Sequence, residues 1–193
     1  MAKINKGRVT FEKEASQAAF GYLQGEAKWA ELLSVGLYGT YGIKLYGDEV
    51  MEMKEELQAM LDSAYDEVIE LGKKATKAEV FKEDEEGKQF LAFKLPENDF
   101  EGNPNKITMY NVSGKKVDDW SALVGNGSTV KIKYRVAPYY MSSTKVVGIS
   151  YKFYACQVLD LKEYTQGESG FGDESGTSDA DKAPFDTEAG EDF

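Results

Sequence analysis

Histidine is absent from this chain, and cysteine occurs once, at Cys156. Without histidine there can be no Cys/His zinc site, no histidine-based triad and no imidazole acid–base catalyst, and one cysteine cannot close an intramolecular disulfide. The carboxylates that remain follow no motif that would arrange them for metal or acid–base work, so an enzyme is the least supported class. No stretch approaches the apolar length needed to cross a bilayer, and Met1-Ala2-Lys3-Ile4-Asn5-Lys6-Gly7 lacks the apolar run of a signal peptide; a cytosolic protein is expected.

The chain carries a net charge of −11, which argues at first sight against a nucleic-acid partner. The charge is unevenly placed. Residues 166–193 hold nine acids (Glu168, Asp173, Glu174, Asp179, Asp181, Asp186, Glu188, Glu191 and Asp192) against the single base Lys182, so they account for −8 and leave −3 for residues 1–165. Within that body the acids crowd into one predicted helix and the turn after it, which leaves the β-rich remainder locally basic. Residues 166–193 are rich in Gly, Ser, Thr, Asp and Glu and poor in aliphatic side chains, too little to offset the entropy of ordering. A disordered acidic tail is expected there, behind one domain over residues 1–165. Phe171, Phe185 and Phe193 stand among its acids as isolated hydrophobes suited to docking.

Residues 48–71 read as one long helix, with Val50, Met53, Leu57, Met60, Leu61, Ala64, Val68 and Leu71 recurring at three- and four-residue spacing. Asp48 suits the N-cap, Glu49 and Glu52 the positive end of the dipole, and Gly72-Lys73-Lys74 the stop. Elsewhere short aromatic and β-branched runs alternate with turns: 20–23, 41–45, 79–82, 90–95, 107–110 and two longer runs near 130 and 150. Five or more strands with one inserted helix predict a mainly β protein, an OB-fold built as a five-stranded, partly open barrel; a mixed α+β sandwich is the alternative.

The stretch Thr129-Val130-Lys131-Ile132-Lys133-Tyr134-Arg135-Val136 alternates strictly, so Val130, Ile132, Tyr134 and Val136 point to a core while Lys131, Lys133 and Arg135 form a row of cations on the other face. Pro138-Tyr139-Tyr140 follows. In the next run Ile149, Tyr151, Phe153 and Ala155 are expected opposite Lys152 and Tyr154, so the two strands would pair with cations and tyrosines on one surface. A single nucleic-acid strand offers phosphates to neutralise and unpaired bases to stack, each base worth about 1–3 kcal/mol whatever its identity. The plain alternative is a solvated sheet face, or an edge strand guarded by charge.

Other features carry less. Gly36-Leu37-Tyr38-Gly39-Thr40-Tyr41-Gly42 opens a strand rather than a helix, so it is a turn from which Tyr38 and Tyr41 can reach a ligand, not a phosphate loop. Gly114-Lys115-Lys116 lacks the flanking residues of a P-loop and reads as a basic turn near nucleic acid. Asp84-Glu85-Glu86 lacks calcium-loop spacing, Cys156 reads as a packing residue, and Trp29 and Trp120 as core or edge residues.

These residues resemble the single-stranded DNA-binding proteins of short-tailed, podovirus-type phages. The likeness is strongest from Asn111 to Leu161, through Ser113-Gly114-Lys115-Lys116, Gly125-Asn126-Gly127-Ser128, Val130-Lys131-Ile132-Lys133-Tyr134, Pro138-Tyr139 and Gly148 to Lys152. It is weaker at Phe20-Gly21-Tyr22, Tyr41 to Leu45, Phe93-Lys94 and the ending Glu191-Asp192-Phe193. The resemblance implies sequence-independent binding of single strands in DNA replication, recombination and repair, without catalysis or cofactor. It also implies a tail, here Asp186, Glu188, Glu191, Asp192 and Phe193, that contacts a phage DNA polymerase and helicase-primase in the infected bacterial cytoplasm; by its charge and Gly-rich tether that tail is expected to enter the basic groove and compete with DNA. A second copy of the chain, as a dimer, joins the expected partners. Lys94 and Tyr139 fall where that family places DNA contacts, Lys3 matches an N-terminal basic position, and Phe193 the terminal aromatic. Two departures stand out: Tyr38 replaces an arginine of the family pattern, and the tail is shorter. The expected DNA-binding set is thus Lys3, Tyr38, Tyr41, Lys94, Lys115, Lys116, Lys131, Lys133, Arg135, Tyr139, Tyr140, Lys152 and Tyr154. The rival reading is a protein-interaction module whose acidic tail mimics nucleic acid to occupy a basic partner.

Overall fold

The computed structural model describes residues 3–5 and 8–163, with side chains from Val9 onward. The expected tail, with Asp186, Glu188, Glu191, Asp192 and Phe193, lies outside the described residues, as does the side chain of Lys3.

Two short strands, β1 (Lys3–Asn5) and β2 (Arg8–Thr10), pair antiparallel ahead of a 3-10 turn at Glu14–Ser16. Then come β3 (Ala19–Glu31), β4 (Thr40–Tyr46), the helical segments α1 (Asp48–Glu52) and α2 (Lys54–Glu70), and β5 (Thr76–Lys77). The chain continues through β6 (Lys82–Glu83), β7 (Gln89–Pro96), β8 (Thr108–Tyr110), β9 (Lys116–Val117), β10 (Ser128–Met141) and β11 (Val146–Asp160). The five long strands hydrogen-bond in the order β7-β4-β3-β10-β11, all antiparallel.

The ends of this path, β7 and β11, meet through side chains rather than a ladder: Phe93 stands edge-on to Tyr151 with ring centres 5.7 Å apart. Residues 76–83 bridge the gap. β5 pairs with Val146 and Val147, the Tyr151 hydroxyl donates to the Val80 carbonyl at 2.9 Å, and β6 pairs with β7. The result is the partly open, five-stranded OB barrel, with the helix inserted between its second and third strands.

The apolar stripe of the helix packs as its spacing predicts, with Val50, Met53, Leu57, Met60, Leu61, Ala64 and Val68 buried. Two details differ. The helix is broken into two segments at Met53, and the N-cap is Gly47, at φ 131°, with Asp48 in the first turn instead. No side chain caps that end, so the acids Asp48 and Glu49 answer the dipole alone. The stop at Gly72 is a Schellman motif: Gly72 N–H donates to Ile69 at 2.8 Å and Lys73 N–H to Val68 at 3.3 Å, with Gly72 at φ 71°.

The alternation on β10 holds, with Val130, Ile132 and Val136 buried and Tyr134 tilted against Phe93. On β11 it does not. A bulge opposite Lys133 and Tyr134 inserts Tyr154, so Ala155 pairs with Lys133 on the outer face and Cys156, 0% exposed, takes the inward place expected for Ala155. The inserted residue reverses the side chains from Ala155 to Val158, and a second shift at Leu159 restores the phase before Asp160. Burial pushes the Cys156 thiol up to about 12, as suits a packing residue.

Glu67 is fully buried in a helix face that reads as apolar. Its carboxylate accepts the backbone N–H of Glu12 at 2.9 Å and of Lys13 at 3.2 Å, and the Ser16 hydroxyl donates to it as well. Burial alone would raise its pKa, but these donors outweigh it and hold the carboxyl below its usual value. Stability from this group is therefore full above the ordinary glutamate range and lost as pH falls through the depressed folded value. Glu67→Gln keeps the shape but points an amide donor at other donors; a loss of about 1–3 kcal/mol by urea unfolding is expected, together with a flatter stability profile as pH falls below the ordinary glutamate range.

Candidate nucleic-acid interface

The register of β10 and β11 determines what the outer surface displays. Along β10 the outward side chains are Lys131, Lys133, Arg135 and Tyr139, with Ala137 on the same side but buried; across from them on β11 stand Gln157, Ala155, Lys152, Ser150 and Gly148, with Tyr154 in the bulge. At about 3.3 Å per residue, the row from Lys131 to Tyr139 is roughly 26 Å long. The ion pairs of the described residues that fall outside this row are Lys13–Glu70, Lys77–Asp62 and Lys116–Asp118. None of Lys94, Lys131, Lys133, Arg135 or Lys152 is neutralised by an ion pair among the described residues.

Where β11 faces β7, the open seam forms a groove of about 560 Å³. Ala92, Pro96, Ile149 and Tyr151 supply its apolar surface; Lys94, Lys152 and Lys82 supply cations, and Tyr139 enters from β10. Gly148 explains how Tyr139 lies there: a Cβ at that position would fall 2.6 Å from the Tyr139 hydroxyl oxygen, so the ring crosses β11 over bare backbone. Glu79 is the one acid on the groove wall. Burial raises the Tyr151 hydroxyl well above its ordinary pKa, and it stays a donor to Val80.

A second groove, about 360 Å³, lies at the other end of the row between Tyr22, Tyr110, Gly114, Lys131, Lys133, Ala155 and Gln157. Lys115 is exposed on the turn that Gly114 belongs to, which closes with the Lys115 N–H donating to Asn111 Oδ1 at 2.9 Å. In a barrel of this type the second and third strands and the loops after the first and fourth strands are the customary ligand surface. Here those are β4, β7, the loop 32–39 and the hairpin 142–145. Tyr38, 88% exposed in that first loop, stands at the Thr40–Pro96 end of the seam groove.

Three expected contacts are not brought to this surface. Tyr41 pairs with Leu95 and packs on the core, lining a separate hollow with Ile107 and Trp120. Lys116 lines the same hollow and is paired with Asp118 at 2.5 Å. Tyr140 packs against the core and donates its hydroxyl to the Lys74 carbonyl at 3.2 Å, one residue out of phase with Tyr139.

Two aromatic residues absent from the expected set belong to the surface. Phe20 and Tyr22, 67% and 66% exposed, stand beside Arg135 and Lys133 across β3. The Arg135 guanidinium lies 5.6 Å from the Phe20 ring centre and the Lys131 ammonium 5.9 Å from that of Tyr22. The signal was present in Phe20-Gly21-Tyr22-Leu23: alternate aromatics, with Leu23 on the opposite face. Trp29 departs from expectation too. It is 66% exposed at φ 53°, whereas Trp120 is half-buried and donates to the Ala122 carbonyl. Among the described residues, no helix is long and apolar enough to cross a membrane.

This combination, an OB barrel whose basic and aromatic outer face has no ion pair among the described residues, defines the class of the domain by shape. No protein-family profile matches the chain, and no curated protein is significantly similar in sequence. Solved structures are similar. The gp2.5 single-stranded DNA-binding protein of bacteriophage T7 superposes with a TM-score of 0.64 at 18% identity, covering 83% of this chain and 98% of that one. The single-stranded DNA-binding protein of bacteriophage Enc34 aligns over 89% of this chain and 94% of its own at 16% identity, with a TM-score of 0.43. The same protein in complex with single-stranded DNA gives a TM-score of 0.41 at 17% identity, over 86% and 97%. The likeness to the T7 protein is one of fold.

Proposed function

We propose that the chain binds single-stranded DNA without regard to sequence, as an accessory to phage DNA replication, recombination and repair, and performs no catalysis of its own. The observation that carries this reading is the seam groove, where Lys94, Tyr139 and Lys152, from three separate strands, share one surface that continues into the row Arg135, Lys133 and Lys131. Cations alone would give weak, salt-limited attachment; the rings add stacking that every base can use. The fold shared with the T7 protein supports the same reading.

The acidic stretch 166–193 completes it. Its −8 charge suits the cations of the groove, so it competes with the strand, and once displaced its Phe193 end is available to a polymerase, a helicase-primase or a second copy. Fluorescence anisotropy of labelled oligo-dT at two salt concentrations tests both parts. Full-length protein should bind with steep salt dependence, and a chain ending at Thr165 should bind more tightly, most clearly at low salt. Absence of binding by both would overturn the reading.

A further inference from the structure

A groove separate from the nucleic-acid face lies at the end of β3, between Trp29 and Leu123. Both are exposed, at 66% and 44%, and Ala30 and Val124 extend the apolar lining. Trp29 is held in this position by its backbone: it takes a positive φ of 53°, and its N–H donates to Asn126 Oδ1 at 2.8 Å. A bulky residue at positive φ is a backbone outlier, and its indole stands exposed. Glu31, the one acid of the lining, turns its carboxylate onto Gly36.

The described chain ends beside this groove, and the ending is firmly tied. Gly125 N–H donates to the Lys162 carbonyl at 2.7 Å, and Lys162 N–H donates to Ser128 Oγ at 3.0 Å, whose own proton goes to the Gly125 carbonyl at 2.8 Å. Glu163 then bridges antiparallel to Val124, a residue of the groove wall.

We propose that the groove receives the Phe171 segment of this same chain. Phe171 follows Glu163 by eight residues, a reach of at most about 29 Å at 3.6 Å per residue, ample for a groove whose wall the exit already touches. Gly170 and Gly172 flank the ring, so no neighbouring side chain obstructs its entry. Phe185 and Phe193 lie farther from the exit, which leaves them to the expected competition and recruitment while Phe171 anchors the base of the tail. The anchor stands whether or not the outer face binds DNA.

The two indole N–H signals of the full-length ¹⁵N-labelled chain test this, with Trp29→Phe assigning them. Trp120, bonded to Ala122, is the internal reference. Phe171→Ala should shift the Trp29 signal, leave Trp120 in place and raise acrylamide quenching of Trp29 about twofold as the ring is uncovered. Leu123→Ser should reproduce the shift, while Phe185→Ala and Phe193→Ala should not. An unmoved Trp29 signal in Phe171→Ala, or an equal shift from Phe185→Ala or Phe193→Ala, would overturn the assignment.

Discussion

Replacing Tyr139 by alanine is expected to weaken binding to oligo-dT, oligo-dA and mixed sequences by a similar factor, roughly 5- to 150-fold, which corresponds to about 1–3 kcal/mol for one stacked base. Tyr139 carries this expectation because its ring lies over Gly148 with nothing of β11 beneath it but backbone, inside a groove whose other walls are Lys94, Lys152 and the apolar edge of β7. Gly148→Ala supplies an independent check. Its new Cβ would meet the outer end of the Tyr139 ring, which can swing aside, so the fold should survive while the ring leaves its place. Binding should fall in that variant also, by less than in Tyr139→Ala. Tyr140→Ala provides the contrast: its hydroxyl is committed to Lys74 and its ring to the core, so stability should drop while the affinity of the folded protein changes little. Isothermal titration on three oligonucleotide sequences, with urea unfolding alongside, separates these outcomes. Losses confined to one base would refute sequence-independent stacking.

What could be read from the sequence was periodic, and what could not was produced by breaks in period. The helix stripe from Val50 to Val68 and the inward set Val130, Ile132 and Val136 follow directly from spacing, because burial on one face is what makes such spacing stable. The β11 bulge at Tyr154 lies beyond that logic. No local residue type announces it, and it exchanged the places of Ala155 and Cys156. Glu67 was missed for a related reason: a carboxylate on an apolar stripe is tolerated only because Glu12, Lys13 and Ser16, more than fifty residues earlier in the chain, bring it donors. In the site, Lys131, Lys133 and Arg135 were legible as a row, whereas the proximity of Lys94 to Lys152 depends on how the barrel closes, which no single strand encodes. Tyr38, Tyr41 and Tyr140 read alike as tyrosines near turns; tertiary packing exposed the first and claimed the other two. In the sequence Phe20 and Tyr22 read as strand formers, and only the pairing of β3 with β10 shows them beside Arg135 and Lys133.

The triple replacement Lys131→Ala, Lys133→Ala and Arg135→Ala is expected to lower affinity most at low salt and to flatten its salt dependence. Each phosphate neutralised on a single strand contributes about 0.7 to the slope of log K against log salt, so removing three contacts should reduce the slope by about 2. The prediction is specific because no ion pair among the described residues occupies these side chains; two of them instead rest on exposed rings, Lys131 on Tyr22 and Arg135 on Phe20. Those rings give the test its second arm. Phe20→Ala with Tyr22→Ala leaves every cation in place, so affinity should fall by a factor nearly independent of salt, as lost stacking does. If the row were an ordinary solvated sheet face, neither set would matter, and the slope would follow Lys94 and Lys152 in the seam groove alone. If the row and the seam are one path, the slopes of the triple variant and of Lys94→Ala with Lys152→Ala should fall additively, since the phosphates they meet are different ones.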